Sequence, residues 1–342
     1  MLSATMNSMS AIRLGTRAST LATTQSEMVA GMLRSEGLDV DLTTITTRGD
    51  TSTTSLAAMG GIGVFASAIC AAILGGDADI AVHSFKDLPT GRPLGLTIGA
   101  VPHREDPRDA LVARDGLTLN DLPQGASVGT GSPRRAAQLL AVRPDLTIID
   151  IRGNVDTRLG RVKGLGHYAQ GSGTEDLDAV VLAASGLARL GHSDVVTEFL
   201  NPSVMLPAPA QGALAVECRA ADSRHGKLAK ALAKIDDRPT RLAATAERAV
   251  LSHLEAGCAA PIGALAQLKP APGKSPEVLT LDVVVTAVDG SRTIREQVSV
   301  ELPEEVDPAL AAAHTLGMTA AEELLDDGAA DVADLKASGS TR

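Results

Sequence analysis

Through its first two thirds, the chain alternates short apolar segments rich in β-branched residues with segments of helical periodicity. Residues 12–14 and 40–47 predict strands, and between them Val29 and Leu33 share the apolar face of a helix that Ser19 caps. Parallel strands need a long crossover between them, and the crossover is usually a helix. The alternation therefore predicts an α/β fold with mixed, mainly parallel sheets.

The same alternation continues to about residue 218. A second unit begins near Pro107, and the Pro-rich stretch 202–209 predicts a return linker. The Gly-rich, polar segment 164–174 predicts a mobile surface loop. The other predicted elements are strands over 80–82, 96–101, 127–129, 146–151, 178–183 and 212–218, and helices over 64–74, over 185–190 and behind the caps Ser132 and Asn154.

From about residue 236 the pattern changes. A helix over 241–256, with Gly257 as its C-cap, precedes strands over 278–288 and 293–302 that an Asp289-Gly290 turn joins. A terminal helix near 310–325 follows. A helix followed by an antiparallel pair and a second helix predicts a small α+β domain.

The scarcity of aromatic side chains limits what the chain can bind. Aromatic residues make up 1% of the 342 residues, with no Trp and one Tyr, so the cores must consist of Ala, Val, Leu and Ile. Single-stranded nucleic acids are bound by aromatic stacking in basic grooves, and a net charge of −10 is the opposite of a basic footprint. We therefore expect no nucleic-acid partner, while local arginines still suit a small anionic ligand.

The N-terminus shows no basic segment followed by an apolar run, and no stretch of about 18 apolar residues predicts a membrane span. A cytoplasmic protein without a membrane partner is therefore expected. Cys70, Cys218 and Cys258 lie far apart with no C-x-x-C pair, which argues against a disulfide framework or a cysteine zinc site. We expect no bound metal ion.

Arginines recur at strand-to-helix junctions, where open α/β sheets bind their ligands. A cation is unfavourable at a helix N-terminus, so a bound anion is the simplest reason for this placement. A guanidinium also matches a carboxylate through two parallel hydrogen bonds. The pattern predicts a polyanion site, with surface arginines paired to Asp and Glu as the alternative. The pairs are Arg13 with Arg17, Arg134 with Arg135, and Arg152 with Arg158.

His83-Ser84-Phe85-Lys86-Asp87 directly follows a predicted strand. Asp87 at the carboxyl end of that strand is placed to stabilise a developing cation or to shuttle protons. From the residues alone, a turn Asp paired with Lys86 is the favoured interpretation, and His83 is a packing residue.

Cys258 lies behind Gly257 and before Pro261, on a predicted tight loop. A helix C-terminus disfavours a thiolate, so the partner of a reactive Cys258 must be a strong electrophile. Spacing alone favours an inert loop cysteine. Cys70 and Cys218 lie in apolar stretches and are interpreted as packing residues.

Together these segments resemble the porphobilinogen deaminase family along nearly the whole chain, and their combination and order are highly specific. The runs that carry the resemblance are Arg13-Leu14-Gly15-Thr16-Arg17-Ala18-Ser19, Thr47-Arg48-Gly49-Asp50, 78–89, Arg104-Glu105-Asp106-Pro107-Arg108-Asp109-Ala110, 128–135, 146–159, Gln211-Gly212-Ala213 and 246–263.

The resemblance implies a three-domain α/β fold. The first two domains are like the lobes of periplasmic binding proteins, with mixed, mainly parallel sheets, and the third is a small α+β domain. We place domain 1 at 1–102 plus 211–232, domain 2 at 103–206 and domain 3 at 236–342.

The resemblance also implies the activity. Four porphobilinogen units, each a pyrrole with acetate and propionate side chains, join head to tail with loss of ammonia, and hydrolysis releases hydroxymethylbilane. The family's dipyrromethane cofactor is held through a thioether at the position of Cys258. Loss of ammonia gives an azafulvene, an electrophile strong enough to capture an unactivated thiol. Asp87 matches the catalytic carboxylate, and a monomer is the family expectation.

By resemblance, fifteen further residues bind the cofactor and substrate. These are Arg13, Arg17, Ser19, Ser84, Lys86, Thr130, Ser132, Arg134, Arg135, Arg152, Arg158, Ala183, Gly186, Arg189 and Gln211.

The segment 56–65 departs from the family pattern. Ala58 and Ile62 stand where many relatives carry Lys, which puts in doubt a contact between this loop and the growing polyanion. Two other classes of protein compete with the enzyme. One is a two-lobed, non-enzymatic binder of an acidic small molecule, which would not require Cys258. The other is a phosphate- or nucleotide-using enzyme, for which the chain has no G-x-x-x-x-G-K-[ST] motif.

Overall fold

The computed structural model describes residues 11–45, 64–91, 93–169, 174–257, 260–269 and 276–335. Thirteen strands form three sheets within these ranges. The strands are β1 (Ile12–Thr16), β2 (Val40–Thr44), β3 (Ile80–Ser84), β4 (Leu96–Ala100), β5 (Asp109–Ala113), β6 (Ser127–Gly129), β7 (Thr147–Ile149), β8 (Ala179–Ala183), β9 (Glu198–Phe199), β10 (Leu214–Arg219), β11 (Ile262–Lys269), β12 (Val278–Thr286) and β13 (Thr293–Glu301).

Helices separate most of these strands. Among the described residues they are α1 (Thr20–Ser35), α2 (Val64–Gly75), α3 (Pro133–Val142), α4 (Val155–Leu159), α5 (Ala184–Arg189), α6 (Gly226–Ile235), α7 (Arg238–His253), α8 (Val306–Asp326) and α9 (Ala329–Val332). None of these helices has the length and apolar composition that a bilayer crossing requires.

Lobe 1 is the five-stranded sheet in the order β2-β1-β3-β10-β4, with α1, α2 and α6. β1 pairs in parallel with β2 and β3, whereas β10 runs antiparallel to both β3 and β4. Four strands therefore share one direction, and β10, which enters from the second half of the chain, opposes them.

Lobe 2 repeats this arrangement in the order β7-β6-β8-β5-β9, with α3, α4 and α5. Here β6 pairs in parallel with β7 and β8, and β5 is the reversed strand. The two sheets confirm the predicted mixed, mainly parallel α/β class.

The third unit is the antiparallel sheet β11-β12-β13 with α7, α8 and α9. One hydrophobic cluster from α7, α8 and the sheet forms its core. This confirms the predicted small α+β unit. The domain boundaries stated above stay a prediction.

Two chain segments connect the lobes: the first crossing, residues 101–108, and the second crossing, residues 206–213. They lie side by side, since the amide of Glu105 donates to the carbonyl of Gly212 at 3.3 Å. Gly212 has a φ of +88°, and a Cβ there would lie 2.5 Å from the carbonyl oxygen of Glu105. Only glycine accommodates both that conformation and this close approach.

Predicted caps and cores are found in the structure. The side chains of Ser19, Ser132 and Asn154 accept from the third amide beyond them, at the starts of α1, α3 and α4. The largest fully buried side chains are Leu, Ile and Met, as the scarcity of aromatic residues requires.

Several boundaries and elements differ from the prediction. The helix predicted over 241–256 is α7 and ends at His253, and Glu255 (φ +51°) rather than Gly257 takes the left-handed conformation behind it. The strands β5, β9 and β11 and the helix α6 were not predicted. In the described part of the segment 164–174, a short 3-10 helix covers Gly166–Ala169.

Candidate active site

The residues predicted to bind ligand gather where the carboxyl edges of the two sheets meet. In lobe 1, β3 ends at Ser84 and the 3-10 helix Phe85–Asp87 follows it directly. In lobe 2, Thr130 follows β6, Asp150 follows β7, and Asp109 at the start of β5 pairs with Ala183 at the end of β8. The crossings bring these two edges together.

Arg134 and Arg135, in the first turn of α3, share one carboxylate. Arg134 Nη1 lies 2.8 Å from Asp109 Oδ2, and Arg135 Nη2 lies 2.8 Å from Asp109 Oδ1. All three side chains are buried, with Asp109 0% and the arginines 4% and 6% exposed. The cluster thus holds two guanidiniums against one carboxylate, which leaves an excess positive charge in a buried place.

Backbone carbonyls fix the orientation of both guanidiniums. Arg134 Nη1 donates to the carbonyl of Leu206 at 2.6 Å, and Arg135 Nη1 donates to that of Val181 at 3.0 Å. The Nε of Arg134 has no hydrogen-bond partner within the described part of the chain. Since buried donors are normally satisfied, this atom fits a ligand acceptor.

Gln211, on the second crossing, connects this cluster to lobe 1. Its Nε2 donates to Asp109 Oδ1 at 2.9 Å and to the carbonyl of Pro107 at 2.8 Å. Its Oε1 accepts from Lys86 Nζ at 3.3 Å. Lys86 therefore reaches across to the crossing rather than pairing with Asp87, contrary to the turn pairing that the residues alone favoured.

Charges from both lobes interact at this point. Burial lowers the pKa of Lys86 to about 8, with Arg135 and Arg134 acting in the same direction and Asp87 and Asp109 opposing them. Burial, followed by repulsion from Arg135, also lowers the pKa of Arg158, and Asp87 opposes this shift. Asp87 is exposed at the end of its 3-10 helix. Asp87 of lobe 1 and Arg158 of lobe 2 therefore interact electrostatically across the junction of the lobes.

The loop that carries Asp87 is held by Arg248 of α7. Its guanidinium donates to the carbonyls of Phe85 and Leu88 at 2.9 Å each and of Pro89 at 2.6 Å, and lies 4.5 Å from the centre of the Phe85 ring. Three carbonyls in five residues thus point at one cation from the third unit, and this fixes the backbone on both sides of Asp87.

Most other predicted binding residues lie at the same edges. Arg17 follows β1 and is half-buried, and Arg152 is exposed with Asp150 at 3.2 Å. Arg189 Nη2 donates to the carbonyl of Gly212 at 2.6 Å, while the Nε atoms of Arg158 and Arg189 have no hydrogen-bond partner among the described residues.

The predicted polar and backbone contributors hold local structure. The side chains of Ser84 and Gln25 are hydrogen-bonded at 3.1 Å, and Thr130 Oγ1 accepts from the amide of Ser132 at 3.2 Å. Ser19 and Ser132 are occupied as helix caps. Ala183 ends β8, and a Cβ at Gly186 in α5 would meet no atom within 4 Å, which leaves open space beside it.

Arg13 is not brought to this site. It lies in the first half of β1, where its side chain pairs with Asp79 at 2.9 Å, and Arg219 pairs with the same carboxylate. Asp79 precedes β3 and Arg219 ends the antiparallel β10, so this cluster marks the opposite edge of the lobe 1 sheet. The predicted strand-to-helix position of Arg13 was wrong, because β1 extends to Thr16.

Three predicted residues lie outside the described residues: Cys258, Ala58 and Ile62. Gly257, directly before Cys258, and Ala260, two residues after it, are buried, and the amide of Ala260 donates to the carbonyl of Gly257 at 3.1 Å. Cys70 and Cys218 are buried, as predicted. His83 is mostly buried and pairs with Glu217 at 3.1 Å.

Sequence reasoning missed the residues that organise the site. Asp109 lies in a run that carried the family resemblance, yet no role was given to it. Two adjacent arginines in the first turn of a helix indicate a nearby anion, but they do not show which carboxylate supplies it. Arg248 and Glu247 lie in another such run, 246–263. Nothing in their spacing shows that α7 packs against the loop carrying Asp87.

Fold and site together define a two-lobed α/β protein with a buried arginine cluster beside an exposed carboxylate at the junction of its lobes. The model of the porphobilinogen deaminase dipyromethane cofactor-binding domain matches residues 12–227, and that of the porphobilinogen deaminase C-terminal domain matches residues 241–326. The chain belongs to the porphobilinogen deaminase family, and the resemblance seen in its sequence is confirmed.

Relatives match over nearly the full length. Porphobilinogen deaminase of Cutibacterium acnes is 90% identical over 98% of this chain and 100% of its own. That of Micrococcus luteus is 52% identical over 94% of both chains. Among solved structures, a periplasmic substrate-binding protein of an ABC transporter from Coxiella burnetii has a TM-score of 0.39 and 17% identity, covering 69% of this chain and 96% of that one.

Proposed function

We propose that this chain is a transferase that condenses four porphobilinogen units and releases hydroxymethylbilane. The observation that carries the proposal is the facing of charges between the lobes. Gln211 accepts from Lys86, the neighbour of Asp87 in lobe 1, at 3.3 Å, and donates to Asp109 in the arginine cluster of lobe 2 at 2.9 Å. A pyrrole that bears two carboxylates and loses an amine needs both a cationic binding surface and a carboxylate at the reacting centre.

Six arginines at the facing edges bind the carboxylates of the substrate and the growing chain. A guanidinium presents paired donors that match a carboxylate, and its interaction is strengthened where water is excluded. The Nε atoms of Arg134, Arg158 and Arg189, which have no hydrogen-bond partner among the described residues, are donors that such carboxylates satisfy. The six are Arg17, Arg134, Arg135, Arg152, Arg158 and Arg189, with Lys86, Gln211, Ser84, Thr130, Ser132, Ser19 and the backbone at Ala183 and Gly186 assisting. We leave Arg13 out of this set, since Asp79 binds its guanidinium.

Asp87 carries the repeated chemistry. Its carboxylic acid form donates a proton to the departing amine, and the carboxylate that results stabilises the positive charge on the pyrrole nitrogen. That carboxylate then accepts the proton lost after coupling, which restores the acid for the next unit. Arg248 keeps the loop at a fixed position while these proton transfers occur, because it binds carbonyls on both sides of Asp87.

The site suits a covalently attached dipyrromethane, since its carboxylates match the excess positive charge and the guanidinium nitrogens that lack a hydrogen-bond partner in the described part of the chain. Cys258 would hold it through a thioether, and Arg134, Arg135 and Arg158 would bind its acidic side chains. When bound, the cofactor supplies the primer pyrrole onto which substrate units are added. The chain's own residues orient that primer toward Asp87 and hold its carboxylates out of water.

The remaining assignments follow the same interpretation. We propose a cytoplasmic monomer that uses porphobilinogen as its small-molecule partner and binds no nucleic acid or membrane. Its domains are 1–102 plus 211–232, 103–206 and 236–342.

Intact-protein mass spectrometry tests the proposal against a non-enzymatic binder. We expect the purified chain to carry an increment of two pyrrole units that Cys258→Ser abolishes. Cys218→Ser is the matched control, since Cys218 is buried in lobe 1 and should leave the increment unchanged. Unmodified wild-type protein that still turns over would overturn the role of Cys258.

Turnover of porphobilinogen tests the role of Asp87. Asp87→Ala should still bind substrate while losing most turnover, roughly a hundredfold or more for a lost general acid–base. A near-normal rate in this variant would remove Asp87 from the chemistry.

A further inference from the structure

Asp109 is the carboxylate on which the arginine cluster depends, and it belongs to the protein rather than to a ligand. It is fully buried, and its oxygens lie 2.8 Å from one nitrogen of each arginine. Gln211 donates to it as well. Its backbone is fixed in β5 by pairing with Ala183. This carboxylate therefore has no freedom to swing away when a substrate arrives.

The charge on Asp109 is also permanent. Burial opposes ionisation, but the positive charges of Arg134 and Arg135, together with the hydrogen bond from Gln211, hold the pKa of Asp109 well below its ordinary value. The carboxylate is thus ionised throughout the neutral range. Arg134, Arg135 and Asp109 together carry one net positive charge instead of two.

The net charge of Arg134, Arg135 and Asp109 matters because the oligopyrrole bound to the proposed enzyme grows during the reaction. Each added pyrrole brings two carboxylates, so the growing oligopyrrole is attracted more and more strongly to the guanidiniums. It must nevertheless shift along the site after each addition and finally leave. Two uncompensated buried guanidiniums would hold a carboxylate very tightly, because charge interactions strengthen where water is excluded. An affinity shared between ground state and transition state does not raise turnover.

We propose that Asp109 sets the affinity of the Arg134–Arg135 pair for substrate carboxylates by keeping one of its two charges permanently neutralised. This inference rests on the proposed function, and it deepens it by naming a specificity-determining residue that need not touch substrate. It acts through the two guanidiniums and is therefore a positioning residue.

Lobe 2 offers a matched control in Asp178. Asp178 also binds two cations, with Arg114 Nε and Lys163 Nζ each at 2.9 Å, and it is 9% exposed. It precedes β8, whereas Asp109 pairs with the last residue of that strand. The two carboxylates therefore stand at opposite ends of one strand, and only Asp109 lies at the edge that faces lobe 1.

Steady-state kinetics on the holoenzyme separate a charge-setting role from a structural one. For Asp109→Asn we expect KM to fall on the order of tenfold, because one more nearby positive charge attracts the substrate carboxylates. We also expect a lower kcat, because the oligopyrrole product leaves more slowly. Late covalent intermediates should then persist in intact-protein mass spectra. Asp178→Asn should leave KM and the intermediates as in wild type. Equal KM values for the two variants would overturn the proposal.

A charge-balance variant keeps the proposal testable if Asp109→Asn does not fold. Arg134→Gln alone should raise KM on the order of tenfold, since Arg135 and Asp109 then cancel. The double variant Arg134→Gln with Asp109→Asn restores one net charge and should return KM toward the wild-type value. A double variant as poor as Arg134→Gln would contradict the inference.

Thermal unfolding with inorganic sulfate gives a readout besides activity. The melting temperature of Asp109→Asn should rise more on adding sulfate than that of wild type or Asp178→Asn, because an anion then replaces the lost charge. An identical response in all three proteins would overturn the proposal. Wild-type protein that fails to condense porphobilinogen would instead refute the proposed function, so the two failures are distinguishable.

Discussion

The carboxylate of Glu247 and the guanidinium of Arg104 form a buried bidentate pair, with nitrogen–oxygen distances of 2.7 and 2.9 Å. Arg104 lies on the first crossing and also donates to the carbonyl of Gln211 on the second crossing at 2.7 Å. Glu247 also accepts from the amides of Ala210 and Ala266. One ion pair thus joins both connections between the lobes to α7 and β11. The next residue along α7 is Arg248, which holds the loop of Asp87.

Glu247→Gln should strongly destabilise the protein. The glutamate is 0% exposed, so its neutralisation leaves the guanidinium of Arg104 without a counter-charge in a buried place. Breaking one partner of a buried pair costs about 3–5 kcal/mol. Urea unfolding measures this loss, and Glu27→Gln is the control because its pair with Arg34 is exposed. A loss as small as that of Glu27→Gln would contradict the role of the pair.

Arg248→Met should reduce turnover while the covalent cofactor is retained. The substitution keeps most of the side-chain volume but removes three hydrogen bonds to the carbonyls around Asp87. A displaced catalytic group costs rate steeply, so we expect kcat to fall roughly tenfold or more with a smaller change in KM. Arg241→Met is the matched control, since Arg241 on the same helix binds Asp236 and the carbonyl of Gly99 instead. Equal kcat values for the two variants would refute this prediction.

The sequence predicts much of the fold because local signals and topology agree there. Ser132 as an N-cap followed by Pro133 predicts that a helix starts at this point, and α3 does start at Pro133 in the structure. The five-residue strand β5 carries no comparable signal, since two of its residues are Ala and its first is a buried Asp. Its place in the sheet follows from the pairing of distant segments, which periodicity does not report.

The residues of the site also fall into those that the sequence predicts and those that only tertiary packing reveals. Arginines at helix starts are visible in the sequence because they oppose the helix dipole, and Arg134 and Arg135 do lie at the facing edge. Arg13 carries the same signal, but Asp79, sixty-six residues away along the chain, binds it at the other edge. Which anion compensates which arginine depends on tertiary packing, so the counter-charges Asp109 and Asp79 could not be assigned beforehand.

Gly212→Ala should disturb the paired crossings. Gly212 and Gly226 both have positive φ, +88° and +93°, so an alanine at either position costs similar backbone strain, about 1–2 kcal/mol. A Cβ at Gly226 meets no atom within 4 Å, whereas at Gly212 it lies 2.5 Å from the carbonyl oxygen of Glu105. Gly212→Ala should therefore lose more stability than Gly226→Ala and raise KM, since Arg189 binds the carbonyl of Gly212. Chemical denaturation and kinetics on both variants check this, and identical behaviour would contradict it.

The pH dependence of kcat/KM should report Lys86. Burial lowers its pKa to about 8, so the free enzyme carries this positive charge below about pH 8 and loses it above. Substrate carboxylates are attracted to the charged form, and kcat/KM should therefore fall as pH rises through about 8. Lys86→Arg keeps its charge in this range and should remove the fall. The stability of the protein should also depend on this lysine. Between about pH 8 and 10.5 the unfolded chain binds more protons at Lys86 than the folded protein does, so the free energy of unfolding should rise with pH in this range. The rise should be smaller in Lys86→Met. A fall in kcat/KM that persists unchanged in Lys86→Arg would assign the titration to another group.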